Sequence, residues 1–422
     1  MEKVNYFDKS FYICEGQDDK HTYIILYPMK TKRINRRAFF RLSATAGAGA
    51  LLMPGVAATR TGQLPGNENE IPVRTLGRTG VKLPILSMGV MRADNPNVVR
   101  AAYNSGLFHF DTAHGYQNGK NEEMLGKFFA GKKRDSFFIA TKGKFDYPLK
   151  DDFEQTYTDL VDLSLKRLEM DQVDLFYAHA LSKVEEVKDE RVIAVLKKLK
   201  EEGKTRFIGF SAHAGKPELL DAAIEAGIYD VILLSYNFKL SNLKETEEAI
   251  ARAAKAGIGL VAMKTMTGGT EDAAGKKKIN AEACLKWAWK NEHITTAIPG
   301  FSNYDELEEC LAAGRNPELT SGEQEYLASL CGQEMLYCQQ CGKCRAQCPE
   351  HLPIPDIMRA YMYAYGYKYS KMSKETLAEL NLSPDICTNC DTCRVTCPSG
   401  FDVSAKIAAI TPVLQVPNEF LT

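Results

Sequence analysis

VDLFYAHALSKVEEVKDERVIAVLKKLKEEGKTRFIGFS, residues 173–211, is the stretch whose reading decides the fold. Val173–His179 and Phe207–Ser211 are short apolar runs of strand length. Between them Val192, Val195, Leu196 and Leu199 fall at i, i+3, i+4 and i+7, one apolar stripe of a helix. Gly203 follows where a left-handed helix cap is wanted. Strand, helix and strand in this order, with short joints, make a parallel β-α-β unit.

The same unit recurs outward in both directions. Strand candidates are Ile85–Val90, Phe108–Thr112, Phe137–Lys142, Val173–His179, Phe207–Ser211, Val231–Tyr236, Gly259–Lys264 and Thr296–Gly300. Phe153, Tyr157, Leu160, Val161, Ser164 and Leu168 mark a second amphipathic helix, and Gly227 and Gly257 stand at further helix ends. Eight such units over residues 71–316 predict a closed (β/α)8 TIM barrel in an α/β chain. An open doubly wound sheet is the competing architecture, but no GxGxxG follows a strand. In a barrel the working residues cluster at the C-terminal strand ends. Those ends carry Asp111, Lys142, His179, Ser211, Asn237, Lys264 and Gly300.

Twelve cysteines are present, and eight of them lie between Cys338 and Cys397. They form two CxxCxxCxxxCP runs: Cys338, Cys341, Cys344 and Cys348, then Cys387, Cys390, Cys393 and Cys397. Such spacing binds metal and does not suit a disulfide framework. In bacterial ferredoxins of this spacing three cysteines of a run hold one cluster and the fourth holds the other. That rule groups Cys338, Cys341, Cys344 and Cys397 around one [4Fe–4S] cluster, and Cys387, Cys390, Cys393 and Cys348 around a second. Two zinc sites of four cysteines each are the alternative, although zinc ribbons pair separate CxxC knuckles. The insert between the runs reads as helix over Pro355–Tyr369 and Lys374–Leu382, with Tyr361 and Tyr365 on one face, packed around the clusters. A mostly helical ferredoxin-like domain over residues 335–412 follows, joined to the barrel by a linking helix within 320–333. Thr320 and Glu323 form the capping box that starts this helix.

Residues 30–58, KTKRINRRAFFRLSATAGAGALLMPGVAA, place paired Arg36 and Arg37 before an Ala/Gly-rich apolar run and a small-residue cleavage site. The order of regions is that of a twin-arginine export signal, spanning 29–58; a surface arginine pair on an amphipathic helix is the plainer reading. The signal implies the twin-arginine translocation machinery as a partner and an exported, periplasmic location, with a cytoplasmic one if the segment is spurious. Met29 stands where an initiator belongs, so residues 1–28 are expected to be an upstream over-extension of the start. The apolar run is too short for a stable transmembrane segment. Hydrophobic residues at 45%, charged residues at 25% and a net charge of −1 describe a soluble globular chain with no electrostatic pull toward nucleic acid.

Across Ile71–Asn316 the sequence resembles the aldo-keto reductase family. The carrying segments are LGRTGVKLP (76–84), HFDTAHGY (109–116), ATKGK (140–144), DLFYAH (174–179), GKTRFIGFS (203–211) and AIPG (297–300). The resemblance implies a catalytic tetrad of Asp111, Tyr116, Lys142 and His179. Tyr116 would be the general acid/base, its pKa lowered by the Lys142 ammonium that Asp111 holds, with His179 orienting the carbonyl. It also implies nicotinamide contacts near Ser211, Asn237, Lys264 and Gly300, but several family residues are replaced. Ala212 stands for an amide, Leu233 for a glutamine, Met263 for a stacking aromatic, Glu306 for a base that meets a 2′-phosphate, and Cys310 for an asparagine near the adenine. The Glu306 carboxylate favours NADH over NADPH, and whether either binds stays open, as does Glu306 being only the N3 member of a capping box begun by Asn303. Lys264 adds a second ammonium at the mouth, either for an anionic group or snorkelling to solvent. The expected activity is an exported iron–sulfur oxidoreductase acting on a small carbonyl or alcohol. Its electrons would be relayed through the two clusters to or from a redox partner protein. The alternative is an electron-transfer or binding protein whose barrel has lost nicotinamide chemistry.

Overall fold

In the computed structural model the described residues are 70–269, 278–331, 336–388, 390 and 392–421. The twin-arginine segment and the proposed start at Met29 lie outside them.

Two short strands, β1 (Val73–Thr75) and β2 (Lys82–Pro84), pair antiparallel ahead of the barrel. Eight strands follow: β3 (Met88–Gly89), β4 (His109–Asp111), β5 (Phe138–Gly143), β6 (Val173–Leu181), β7 (Thr205–Ala212), β8 (Val231–Ser235), β9 (Gly259–Met263) and β10 (Thr296–Ala297). They pair in chain order, and each pairing is parallel. Bridges Leu86↔Ala297 and Gly89↔Gly300 join the last strand to the first, closing the ring. All eight strands sit where the apolar runs predict them. Gly203, Gly227 and Gly257 take φ of +73°, +70° and +82°, the left-handed caps expected of them.

The antiparallel pair was not legible as such. Its turn puts Leu76 and Leu83 among Leu175, Tyr177, Val231 and Val261, so it stoppers the N-terminal end of the barrel. Gly77 permits this approach, since a Cβ there would meet the Gly259 nitrogen at 2.3 Å.

Beyond the barrel, Ser321–Cys331 is helical, as the capping box requires: Glu323 N donates to Thr320 Oγ1 (3.2 Å) and Thr320 N to Glu323 Oε2 (2.7 Å). The cysteine-rich region contributes helices Ile354–Tyr365, Ser370–Ala378 and Val403–Ile410. Leu352, Ile354, Ile357, Leu377, Ile407 and the buried Cys344 and Cys348 form its core. The first insert helix stops at Tyr365, short of the expected Tyr369, because the chain turns at Gly366, whose N–H closes on Met362 O.

Barrel and cysteine-rich region belong to one compact unit. The region docks on the C-terminal mouth through Asn237 Nδ2 donating to Gln339 Oε1 (2.8 Å), Gln339 Nε2 to Thr267 O (2.8 Å), and Arg345 Nη1 to Ser182 O (2.8 Å). Lys144 and Glu379 add an ion pair between them. Among the described residues no helix is long and apolar enough to cross a membrane.

Candidate active site and cysteine centre

The loop after β4 carries the site, and several side chains hold it. Thr112 Oγ1 donates to Asn121 Oδ1 (2.6 Å), while Asn121 Nδ2 reaches Val90 O (2.8 Å) and Ala93 O (3.1 Å). Arg167 donates to His114 O at 3.0 Å. Tyr116 opens a tight turn, Tyr116–Gly119, in which Gln117 and Asn118 are left-handed (φ +53° and +55°). These constraints fix where the Tyr116 ring stands.

The structure brings all four tetrad side chains together. Lys142 Nζ donates to Asp111 Oδ1 and to Thr112 O, both at 2.5 Å, in a fully buried ion pair. Burial pushes Asp111 up and Lys142 down, and their mutual attraction opposes both shifts. Lys142 Nζ lies 5.1 Å from the Tyr116 ring centroid, and the His179 ring meets that ring edge-on at 6.0 Å. Burial holds His179 well below the usual imidazole range, and Lys144, Lys142, Arg359 and Lys264 add to the fall. His179 is therefore neutral near pH 7.

Tyr116 departs from expectation. Its phenol is driven well above the ordinary value, first by burial and then by the Asp111 carboxylate. Arg359 is a cation that opposes the rise, while the nearby Lys142 ammonium is itself paired with Asp111. Arg359 comes from the cysteine-rich region. It is buried on helix Ile354–Tyr365 and paired with Asp356 at 2.7 Å. Sequence reasoning missed it; the available signal was a lone cation amid the apolar run IPDIMRAYMYAY.

Asp111 and Tyr116 line a cavity of about 110 Å³ together with Leu233, Met263, Lys264 and Gly300. Tyr363 and Tyr367, again from the cysteine-rich region, complete its wall. These tyrosines pack against barrel Met91 and Tyr116 through Met362 and Met372. The insert helix therefore does more than pack around clusters: it roofs the barrel mouth.

Of the four residues predicted to touch nicotinamide, Lys264 and Gly300 line the cavity and two do not. Ser211 Oγ accepts the Ala180 N–H (2.8 Å), tying the irregular end of β6 to β7. The Asn237 amide is spent on Lys264 O and on Gln339, which holds the docked region. Glu306 does not present a bare carboxylate either. It accepts from Ser302 N (2.7 Å) and Oγ (2.9 Å) and pairs with Arg92 at 3.6 Å. Asn303 does cap that helix, accepting Glu306 N at 2.9 Å. Cys310 is buried in the barrel core. The cavity is far below the roughly 300–1,000 Å³ of pockets that enclose drug-sized ligands, and its wall at Leu233 and Met263 offers a carboxamide no side-chain hydrogen bond. A nicotinamide dinucleotide does not fit beneath this roof.

The eight cysteines fall into two neighbourhoods. The Cys338 thiol is pushed up to about 12 by burial and by the neighbouring sulfurs of Cys344, Cys341 and Cys397. Cys344 rises to about 11 for the same reasons, from Cys341 and Cys397. Cys387 rises to about 11 through burial and Cys390, Cys348 and Cys393. Cys397 is thus an electrostatic neighbour of the first run and Cys348 of the second. Thr396 N donates to Gln347 Oε1 (2.7 Å), tying together the residues that precede Cys397 and Cys348. Gln340 N points at Cys338 Sγ (3.3 Å), the kind of N–H···S contact that tunes a cluster. Among the described residues no group of three or more of these side chains stands where it could hold a single metal ion, and Cys393 is exposed. What fits a multi-iron cluster is the donor set, four thiols in each neighbourhood, whose charges the irons would neutralise.

A model of the aldo/keto reductase family matches residues 86–282, and a 4Fe–4S dicluster domain model matches residues 320–402. The chain is 27% identical over 307 residues to an L-galactose dehydrogenase of Arabidopsis thaliana, covering 62% of this chain and 93% of that protein. It is 24% identical over 323 residues to an L-glyceraldehyde 3-phosphate reductase of Escherichia coli O157:H7, covering 61% and 92%. Among solved structures, the holo form of an aldo-keto reductase from Bacillus halodurans superposes with a TM-score of 0.51 at 20% identity, over 62% of this chain and 96% of that one; this likeness concerns the fold alone. The chain therefore carries an aldo/keto reductase domain on a parallel barrel, followed by a 4Fe–4S dicluster domain, and is an oxidoreductase.

Proposed function

We propose that this is an exported iron–sulfur oxidoreductase acting on a small carbonyl or alcohol at the barrel mouth. Cys338, Cys341, Cys344 and Cys397 would hold one [4Fe–4S] cluster, and Cys387, Cys390, Cys393 and Cys348 the other. The observation that carries this reading is the shared wall: Tyr363 and Tyr367 of the cysteine-rich region enclose the same cavity as Asp111 and Tyr116 of the barrel. Clusters bound in this region would supply or accept electrons one at a time. The chain's own residues do the rest. The roof narrows access to the cavity, neutral His179 stands edge-on to Tyr116, and the Tyr116 hydroxyl holds the proton that ends on a substrate oxygen. Reduction of the carbonyl would take two electrons in all, one from each cluster, and a second proton from solvent for the carbon. Export is supported by Arg36 and Arg37 with the apolar run behind them, a route suited to a protein folded around its clusters.

The replaced nicotinamide contacts favour a second reading, an electron-transfer or binding protein with an inactive barrel. One experiment separates the two. Anaerobically purified protein is photoreduced and mixed with a panel of small aldehydes, ketones and oxo-acids while the visible cluster absorption is followed. Reoxidation by some member, slowed about 10²–10⁴-fold in Tyr116→Phe, is the expected result. Clusters that stay reduced with every member, or a Tyr116→Phe rate equal to wild type, would overturn the proposal.

A further inference from the structure

Among the described residues Lys264 is the one lysine that lines the cavity, and it is built into an uncomfortable place. It follows β9 in a left-handed conformation (φ +56°), which for a lysine costs on the order of 1 kcal/mol and persists only where the surroundings impose it. Its ammonium is buried and has no hydrogen-bond partner among the described residues. Four neighbouring cations are matched by carboxylates, Lys142 by Asp111, Arg359 by Asp356, Arg92 by Glu306 and Lys144 by Glu379, while the buried Lys216, off the cavity wall, donates to His213 O and Ser235 Oγ. The Tyr363 ring face, 5.0 Å from Nζ, gives a cation–π contact but brings no charge. Burial, followed by the Arg359 charge, holds Lys264 well below the usual lysine range, and a desolvated ammonium left this way is unfavourable unless an anion joins it and holds its proton.

We infer that Lys264 anchors a carboxylate of the substrate, so that the preferred substrates are small carbonyl- or hydroxy-acids and not neutral aldehydes or ketones. The inference rests on the proposed function and names its substrate class. One ammonium neutralises one carboxylate. The cavity of about 110 Å³ suits a compact molecule, and the anchoring charge shares the cavity wall with Tyr116, the proton donor. A phosphate monoester, with a second negative charge, has no second unmatched cation to meet on that wall among the described residues. The rival use of the ammonium is as a counter-charge for a cluster on the Cys338 set, since Cys338 acts electrostatically on Lys264.

Binding without turnover tests the inference. Propionate, its neutral analogue propionamide and inorganic phosphate are titrated by calorimetry into the anaerobic, cluster-loaded full chain. Propionate should bind at least about tenfold more tightly than propionamide, as one charge-assisted bond provides. Lys264→Met should abolish that preference, whereas Tyr116→Phe should leave it intact. Lys264→Gln serves as a second variant if Lys264→Met does not fold. Three results would overturn the inference: equal affinity for propionate and propionamide, phosphate binding tighter than propionate, or variants that shift the cluster spectrum yet keep propionate affinity. Any of these leaves the proposed function standing, because reoxidation by a neutral carbonyl would still show it.

Discussion

Gly366→Ala isolates the docking of the two domains. Gly366 follows helix Ile354–Tyr365 at φ −87° and ψ −49°, a conformation alanine adopts freely, so no backbone strain enters. Alanine there should even gain about 0.5–1 kcal/mol from the unfolded chain. The obstacle is steric and lies across the interface. A Cβ would sit 2.2 Å from Gly268 O, 2.7 Å from Met362 O and 3.1 Å from the Tyr337 ring. The nearest atom is a barrel backbone carbonyl, which cannot swing aside as a side chain would. Overpacking of this kind costs about 1–3 kcal/mol, leaving a net loss of about 1–2 kcal/mol that falls on docking and on neither core. The chain has two tryptophans, Trp287 and Trp289, both in or beside the barrel core. Tryptophan fluorescence therefore reports the barrel and visible absorption reports the clusters. In denaturant, wild type should lose both signals together. Gly366→Ala should lose cluster absorption first, with slower reoxidation by substrate. Gly322→Ala, within helix Ser321–Cys331 and with nothing near its Cβ, is the control and should match wild type. Coincident transitions and an unchanged reoxidation rate in Gly366→Ala would refute the view that the domains share one site.

Breaking the Asp111–Lys142 pair by Asp111→Asn should cost about 3–5 kcal/mol of barrel stability, because it leaves a buried ammonium without its carboxylate. Asp111→Asn with Lys142→Met should cost clearly less than the sum of the single changes, and additive losses in denaturant titrations would show that the two are not coupled. His109 is buried, neither ring nitrogen has a partner among the described residues, and burial followed by the Lys142 charge lowers it to about 3. The unfolded chain then binds a proton first on acidification, so the stability present above pH 6.5 is lost as pH falls toward 3, by about 1.4 kcal/mol per unit. His109→Phe should remove about 2 kcal/mol of the loss between pH 6.5 and 5, and an unchanged pH slope in tryptophan-monitored unfolding would contradict this.

The barrel was legible because its strands are buried on both faces, so each reads as an unbroken apolar run followed by a polar residue at the mouth. The cysteine-rich domain was legible because two CxxCxxCxxxCP runs are a specific cluster-binding spacing, and a 4Fe–4S dicluster model matches residues 320–402. What stayed hidden depends on contacts distant in sequence. Strands of three residues with partly exposed faces, such as Val73–Thr75, leave no periodicity to detect. Ser211 and Asn237 stand at the strand ends where they were expected, yet their polar atoms are used by Ala180, Lys264 and Gln339. Position was readable from the sequence, but occupancy was not. Arg359, Tyr363 and Tyr367 were hidden most deeply, because a helix with an apolar face does not say which surface it covers.

That helix alters the electrostatics of the tetrad. From the barrel alone, Lys142 would be the cation acting on Tyr116, but its charge is absorbed by Asp111, and Asp111 itself raises the phenol. An opposing charge arrives with Arg359 from the cysteine-rich region. Proton donation by Tyr116 and electron supply through the clusters would thus depend on the same docked helix. A barrel without its roof would have an open mouth, a phenol without the Arg359 charge and no nearby electron source. In this arrangement the second domain is part of the active site, and the loss of family contacts to nicotinamide at Leu233 and Met263 lies on the wall that this domain now closes.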